Sequence, residues 1–416
     1  MSTLAASPRE RASPVSLREA NEKLRIVVGH NVYQQSGGED TCVKAELAML
    51  RTHGHEVIPY TVSNDTINGM SRVDLAARTL WSAPAYREFR ALFRETRPHL
   101  VHFHNTFPLI SPAAYYAARS AGIPVVQTLH NYRWFCCNAV FFIDGKICQA
   151  CLHSPMPWRG IVKRCYRGSR AASAAVAAMI GAHKALGTWR NAIDTYIALS
   201  RASRAKLIEG GLDARRIAVK PNFIYPDPGE GPGGGGYCLF VGRFSAEKGL
   251  LTLLRAWREP GLRLPLKIIG AGPMDSEVQA AAAGNPNIQL LGQCAPEAVY
   301  DLLGRANLLI VPSECFETFG RVVAEAFAKG TPVLAANIGG LGEIVAHGEN
   351  GLLFEPGDAN DLADKARRLL SNPVKLQQMR KRARAAFERD YTVDTNHARL
   401  MAIYERVLGP RAITTA

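Results

Sequence analysis

The chain has 416 residues, 47% of them hydrophobic, 21% charged and 8% aromatic. That is globular composition with apolar material for two large cores, and it excludes a disordered or fibrous protein. Fifty basic against 36 acidic residues leave a net charge of +14, which favours anionic partners: nucleotides, diphosphates, nucleic acid or an acidic membrane face.

Residues 1–23 read as a polar tail rich in Ser, Pro, Arg and Glu, without a secretory apolar core. The nine cysteines are an odd number in a long chain, so the expected compartment is the reducing cytoplasm and not one that builds a disulfide framework. A buried strand is predicted at 24–29 and an amphipathic helix at 39–50. Short apolar strands follow at 57–62, 100–103, 125–129 and 196–199, with helical stretches between most of them. Strands alternating with helices predict a parallel sheet covered on both faces. The longest apolar helical candidate, 171–186, is interrupted by Ser173, His183 and Lys184, and no apolar run reaches bilayer length. The run 226–236 is almost entirely Gly and Pro and reads as a linker or loose loop. Strands resume at 237–241, 266–269, 288–291, 308–311 and 333–335, and from Asp358 onward the pattern is helical, with Tyr391 a point where the chain turns back. The expected plan is a first α/β domain at 24–222, a linker at 223–236, a second α/β domain at 237–392 and a helix in 393–416 returning to the first. Two open α/β sheets face each other across a cleft in this plan, and ligands of such sheets sit in the loops after the strands.

Four of those loops carry chemistry. Gly37-Gly38-Glu39-Asp40 joins glycines that admit a close ligand to a helix start that offers free N–H groups; a plain tight turn explains it equally. Arg243 and Lys248 lie within Gly242–Gly249, and two cations at a strand-to-helix junction can converge on a diphosphate and neutralise it as it departs. Glu317, in Glu-Thr-Phe319-Gly320, and Glu325 in the next helix can put two carboxylates into one cleft, either as general acid and base or as acceptors for hydroxyl groups. Gly339-Gly340 with Glu343, and Asn350-Gly351, complete the set, while Gly270-Ala271-Gly272-Pro273 is a dinucleotide fingerprint lacking its third glycine.

In this order and spacing the segments resemble the retaining glycosyltransferases of family 4, over nearly the whole chain after residue 24. The resemblance implies the GT-B fold, two Rossmann-like doubly wound parallel-sheet domains facing across a cleft. It implies that Arg243 and Lys248 hold the donor's diphosphate, so that no metal is required for catalysis. Glu317 would bind hydroxyls of the donor sugar with backbone N–H groups near Phe319 and Gly320, and Glu325 the ribose. Gly37 and Gly38 would approach the donor from the opposite domain, and His130 would contact its sugar.

His130-Asn131-Tyr132-Arg133 and the insert at 131–168 resemble a bacterial subgroup linked to surface-polysaccharide assembly, although Cys137 stands where a proline is frequent. Cys136, Cys148, Cys151 and Cys165 can form a structural zinc site stapling the insert, or remain free thiols. Trp158, Arg159, Lys163, Arg164, Tyr166, Arg167 and Arg170 suit an anionic membrane surface or a solvated basic face; nucleic acid is not expected, for want of a motif. The expected activity is transfer of a sugar from a UDP- or GDP-sugar to a glycan acceptor, free or lipid-linked, by a cytoplasmic or inner-membrane peripheral enzyme. The rivals are a nicotinamide oxidoreductase and a non-catalytic sugar-nucleotide or glycan-binding module.

Overall fold

Short apolar runs without alternation belong in strands buried on both faces, and this chain builds two such sheets. The computed structural model describes residues 23–35, 37–259 and 261–409; apart from Lys23 the polar tail, and 410–416 of the last segment, lie outside the described residues. The strands are β1 Arg25–Val32, β2 Glu56–Ser63, β3 Leu100–Phe103, β4 Val125–Leu129, β5 Phe142–Ile143, β6 Lys146–Ile147, β7 Thr195–Ala198 and β8 Ile217–Val219 in the first half. In the second half they are β9 Cys238–Val241, β10 Leu266–Ile269, β11 Ile288–Gly292, β12 Leu308–Val311, β13 Val333–Ala336 and β14 Gly351–Phe354.

The first sheet runs β2-β1-β3-β4-β7-β8 and the second β11-β10-β9-β12-β13-β14, while β5 and β6 form a separate hairpin in the insert. Every pairing in the two large sheets is parallel. These are doubly wound, Rossmann-like orders. Each reverses direction beside its first strand, between β1 and β3 and between β9 and β12, and that reversal opens a crevice at the strands' carboxyl ends. The loops after β1, β3, β9 and β12 are therefore where ligands belong.

The Gly/Pro run is not the loose connection its composition predicts. Gly231 N–H donates to Lys329 O at 3.0 Å, Gly233 N–H to Gly304 O at 2.8 Å and Gly235 N–H to Arg305 O at 2.8 Å. A Cβ on Gly231 would stand 2.2 Å from Gly304 Cα. Without side chains the segment lies flat on the second domain as a strap.

Tyr391 separates the helices Pro373–Asp390 and Val393–Leu408. The latter crosses to the first sheet, where Leu400, Ile403 and Tyr404 join one buried cluster with Ile26, Val28 and Val126. Among the described residues no helix is long and apolar enough to cross a membrane.

Candidate active site

The turn after β9 is pressed against the loop after β12. Gly249 has φ +66°, and a Cβ there would fall 1.8 Å from Pro312 O, so only glycine fits. Adjacent strands at the reversal thus deliver Lys248 to Glu317: the Lys248 ammonium donates to Glu317 Oε1, and Ser313 Oγ donates to the same oxygen at 2.9 Å. The two side chains are 31% and 15% exposed. Burial pushes the Glu317 carboxyl up, but the Lys248 charge and the Ser313 hydroxyl outweigh it and hold the group below the usual carboxylate range. Burial works against the Lys248 ammonium, and Glu317 more than offsets it, raising its pKa. Gly340 N–H donates to Glu317 O at 2.7 Å and fixes the loop from the β13 side. Arg243 is exposed on the same turn, and its guanidinium is unpaired among the described residues.

Phe319 is buried, edge-to-face with Tyr391 at 5.7 Å between centroids. Only its backbone is free to meet a ligand. Gly320, at φ +88°, caps the helix Arg321–Ala328, and one turn on Arg321 pairs with Glu325, the two being 15% and 13% exposed. Burial raises the Glu325 carboxyl, against the pull of Arg321. Arg321 is a residue that motif reading passed over. Its Nε is buried without a partner, and its Cδ lies 3.7 Å from where a Cβ of Gly38 would be. Gly38, Arg321 and Glu325 therefore meet across the cleft. Neither Gly37 nor Gly38 has the left-handed φ that demands glycine, and a Cβ on Gly37 would meet nothing within 4 Å. Gly37 leaves open space, and Gly38 brings the bare backbone up to Arg321.

On the first sheet, Asp40 Oδ2 accepts from Gly37 N–H at 3.1 Å and Asp40 Oδ1 bonds His30 Nε2 at 2.8 Å, which anchors the glycine loop. Glu39, bonded by Tyr33 OH at 2.9 Å, has its carboxyl pushed up to about 7 by burial. His130 follows β4, half-buried, and its carbonyl accepts from Thr318 Oγ1 of the opposite domain at 2.9 Å. Thr318 O in turn accepts from Ser200 Oγ at 2.7 Å. Glu39, His104, Asn105, His130, Asn131 and Arg133 line one cleft. His102 and His104 sit two apart on β3 and its end, hence on one face; that spacing in an apolar strand was the available signal for the buried histidines behind His130.

In the insert, Cys136, Cys148, Cys151 and Cys165 line one small pocket, together with Cys137. Cys137 Sγ faces Pro157 O and Ser173 O at 3.9 Å each, a packing role. Cys136 Sγ donates to Asn138 Oδ1 at 2.9 Å. Among the described residues the group whose ligand atoms all lie within 4.8 Å of one another is Glu46, His102 and His104, not the thiols. Zinc held by four thiolates at ~2.3 Å would set sulfurs about 3.8 Å apart, so an ion would draw this pocket inward.

Residues 37–222 match the family of glycosyl transferase 4-like domains, and residues 227–386 match glycosyl transferases group 1. An uncharacterized glycosyltransferase of Methanocaldococcus jannaschii is 38% identical over 136 residues, which is 32% of this chain and 38% of that one. The glycogen synthase of Mycobacterium tuberculosis is 35% identical over 191 residues, 44% of this chain and 43% of that one. The matched stretches thus span about two fifths of these relatives. Anabaena HepE, solved in complex with UDP-glucose, superposes with a TM-score of 0.66 at 19% identity, covering 91% of this chain and 99% of that chain.

Proposed function

The chain belongs to the GT-B glycosyltransferases of the family 4 type, and from that premise we propose that it moves a sugar, with retention, from a nucleotide-sugar donor to a glycan acceptor. The observation that carries the reading is the Lys248–Glu317 pair at the reversal of the second sheet, with the unpaired Arg243 on the same turn. Donor diphosphate would lie between these cations and the loop at Gly37 and Gly38. As the bond from the anomeric carbon to phosphate oxygen breaks, Lys248 and Arg243 neutralise the departing charge. The acceptor hydroxyl bonds the same carbon from the same face, and its proton passes to the leaving phosphate. Glu317 is held ionised; it accepts hydrogen bonds from sugar hydroxyls and has no proton to give, which favours grip over general-acid work. Glu325, with Arg321, would take the ribose.

The nicotinamide alternative loses its remaining support. A Cβ on Gly270 would meet Gly242 O at 1.9 Å, and one on Gly272 would meet Phe244 O at 2.4 Å, so these glycines are accounted for by packing against the β9 turn. A UDP-bound neighbour makes UDP-sugars the first donors to try. Because the cations are protein side chains, transfer should persist in EDTA, and Lys248→Ala and Glu317→Ala should each lower turnover by at least about a hundredfold. A strict magnesium requirement, or wild-type rates in both variants, would sink the assignment.

Two further assignments rest on the insert. Cys136, Cys148, Cys151 and Cys165 would hold a structural zinc that staples it; the support is the shared pocket, with Cys137 occupied elsewhere. About one zinc per purified chain, lost in Cys148→Ser/Cys151→Ser, is expected, and metal-free wild type would reduce the thiols to packing. The acceptor is lipid-linked and presented at an anionic membrane, supported by exposed Trp158 and Val162 among arginines and lysines.

A further inference from the structure

Behind His130 lies a buried polar chain that the transfer chemistry does not use directly. Lys220 Nζ, 2% exposed, donates to Glu46 Oε2 at 3.0 Å and to Asn396 Oδ1 at 2.9 Å. Glu46 Oε1 lies 3.0 Å from both His102 Nδ1 and His104 Nε2. His104 Nδ1 lies 2.9 Å from His130 Nε2, and His102 Nε2 lies 2.8 Å from Thr128 Oγ1. The order of protons along this chain follows from donor and acceptor capacity once burial keeps the two rings neutral. Burial works against the Glu46 carboxylate, but Lys220 holds it ionised, and an ionised carboxylate only accepts. His104 must therefore present Nε2–H to Glu46. Its burial keeps the ring neutral, with a pKa down at about 4, so Nδ1 bears a lone pair. The partner of that lone pair, His130 Nε2, must carry the proton. His130 is itself kept neutral by burial beside His104, which leaves its Nδ1 as an acceptor with no partner among the described residues, on the cleft lined by Glu39, Asn131 and Arg133.

We propose that Glu46 and His104 are positioning residues that fix His130 as the Nε2–H tautomer, so that His130 Nδ1 accepts a hydrogen bond from a hydroxyl of the donor sugar. The proposal deepens the reading of His130 as a sugar contact and rests on it for its second half only. Glu46, His102 and His104 also satisfy the spacing of a metal group. Lys220, bonded to Glu46, already supplies the positive charge an ion would bring, which favours the proton chain.

The test is a two-bond nitrogen–proton correlation spectrum of the full chain labelled with 15N-histidine, with His130→Asn and His104→Phe assigning the signals. Both rings are expected as Nε2–H at pH 7. An Nδ1–H or doubly protonated His130 overturns the proposal. So does a stoichiometric metal in the protein as purified with His104 Nε2 metal-bound. In His104→Phe the His130 ring should become a mixture of tautomers, and turnover of UDP-glucose or another accepted donor should fall about tenfold in kcat with KM within about threefold. Unchanged kcat in a folded His104→Phe overturns the positioning role. A wild-type chain that turns over no donor defeats the transferase reading instead, and the spectrum still decides the tautomer. Should His104→Phe fail to fold, the wild-type spectrum by itself upholds or overturns the tautomer assignment.

Discussion

Glu317 and Lys248 lock each other's charge state, and the pair has a sign that pH can read. With Lys248 present the folded-state pKa of Glu317 is depressed, so its contribution to stability is full above the unfolded carboxylate range and disappears as pH falls through the folded value. Lys248→Ala leaves the same carboxylate half-enclosed without a cation, which raises its pKa above the unfolded one. The variant then gains from protonation. Its melting-temperature deficit relative to wild type should be largest near pH 7 and shrink toward pH 4; a deficit that stays flat or widens on acidification would show that the pair does not set Glu317's charge. Arg321 behaves differently. Its orphan Nε and its pairing with Glu325 put a cation where ribose and phosphate are expected, so Arg321→Leu should raise the donor KM about tenfold, beyond the loss of melting temperature near pH 7 that leaving Glu325 without a cation entails. An unchanged donor KM would return Arg321 to a structural role. Motif reading singled out Lys248, Glu317 and His130 in loops with a recognisable signature and Glu325 in the helix that follows one, whereas Ser313, Arg321, Glu46 and His104 are made relevant only by neighbours distant in the chain.

At the level of elements, what could be read depended on burial. Strands such as β12 and β13 are uninterrupted apolar runs buried on both faces, and nothing competes with that reading. β8 is only Ile-Ala-Val, and β14 opens on Gly351, so one is too short and the other too much like a turn to be recognised; both are edge strands whose place is set by pairing with β7 and β13. The strap shows the opposite failure. Its composition predicts looseness, yet absence of side chains is what lets 226–236 lie on Gly304 and Arg305. Gly231→Ala should therefore cost about 1–3 kcal/mol through overpacking, a fall of several degrees in melting temperature. Gly69→Ala, with open space and an ordinary φ, is the control. Equal melting of the two variants would mean that the strap is as loose as its composition suggests.

For the whole molecule, the excess of +14 has to be weighed with its placement. The helix Trp158–Val162 exposes its first and last residues at 52% and 58%, four positions apart and so on one face. Arg159, Lys163, Arg164 and Arg167 are exposed around them. An aromatic ring and an aliphatic side chain ringed by cations suit the boundary of an anionic bilayer, where each cation contributes about 1 kcal/mol until salt screens it. This insert belongs to the domain that carries His130, so seating it on a membrane would hold that half still while the other half, joined through Thr318 and the helix Val393–Leu408, brings the donor. Vesicles containing phosphatidylserine should sediment the protein at low ionic strength and release it as salt rises, and neutral vesicles should not. Arg159→Glu/Lys163→Glu should weaken binding by more than the roughly fivefold per site that charge removal alone implies, because each change also adds repulsion. Trp158→Ala should weaken it in a way that salt does not restore. Binding indifferent to both the lipid charge and these substitutions would leave the basic face as a solvated surface, and the acceptor would then have to reach the cleft from solution.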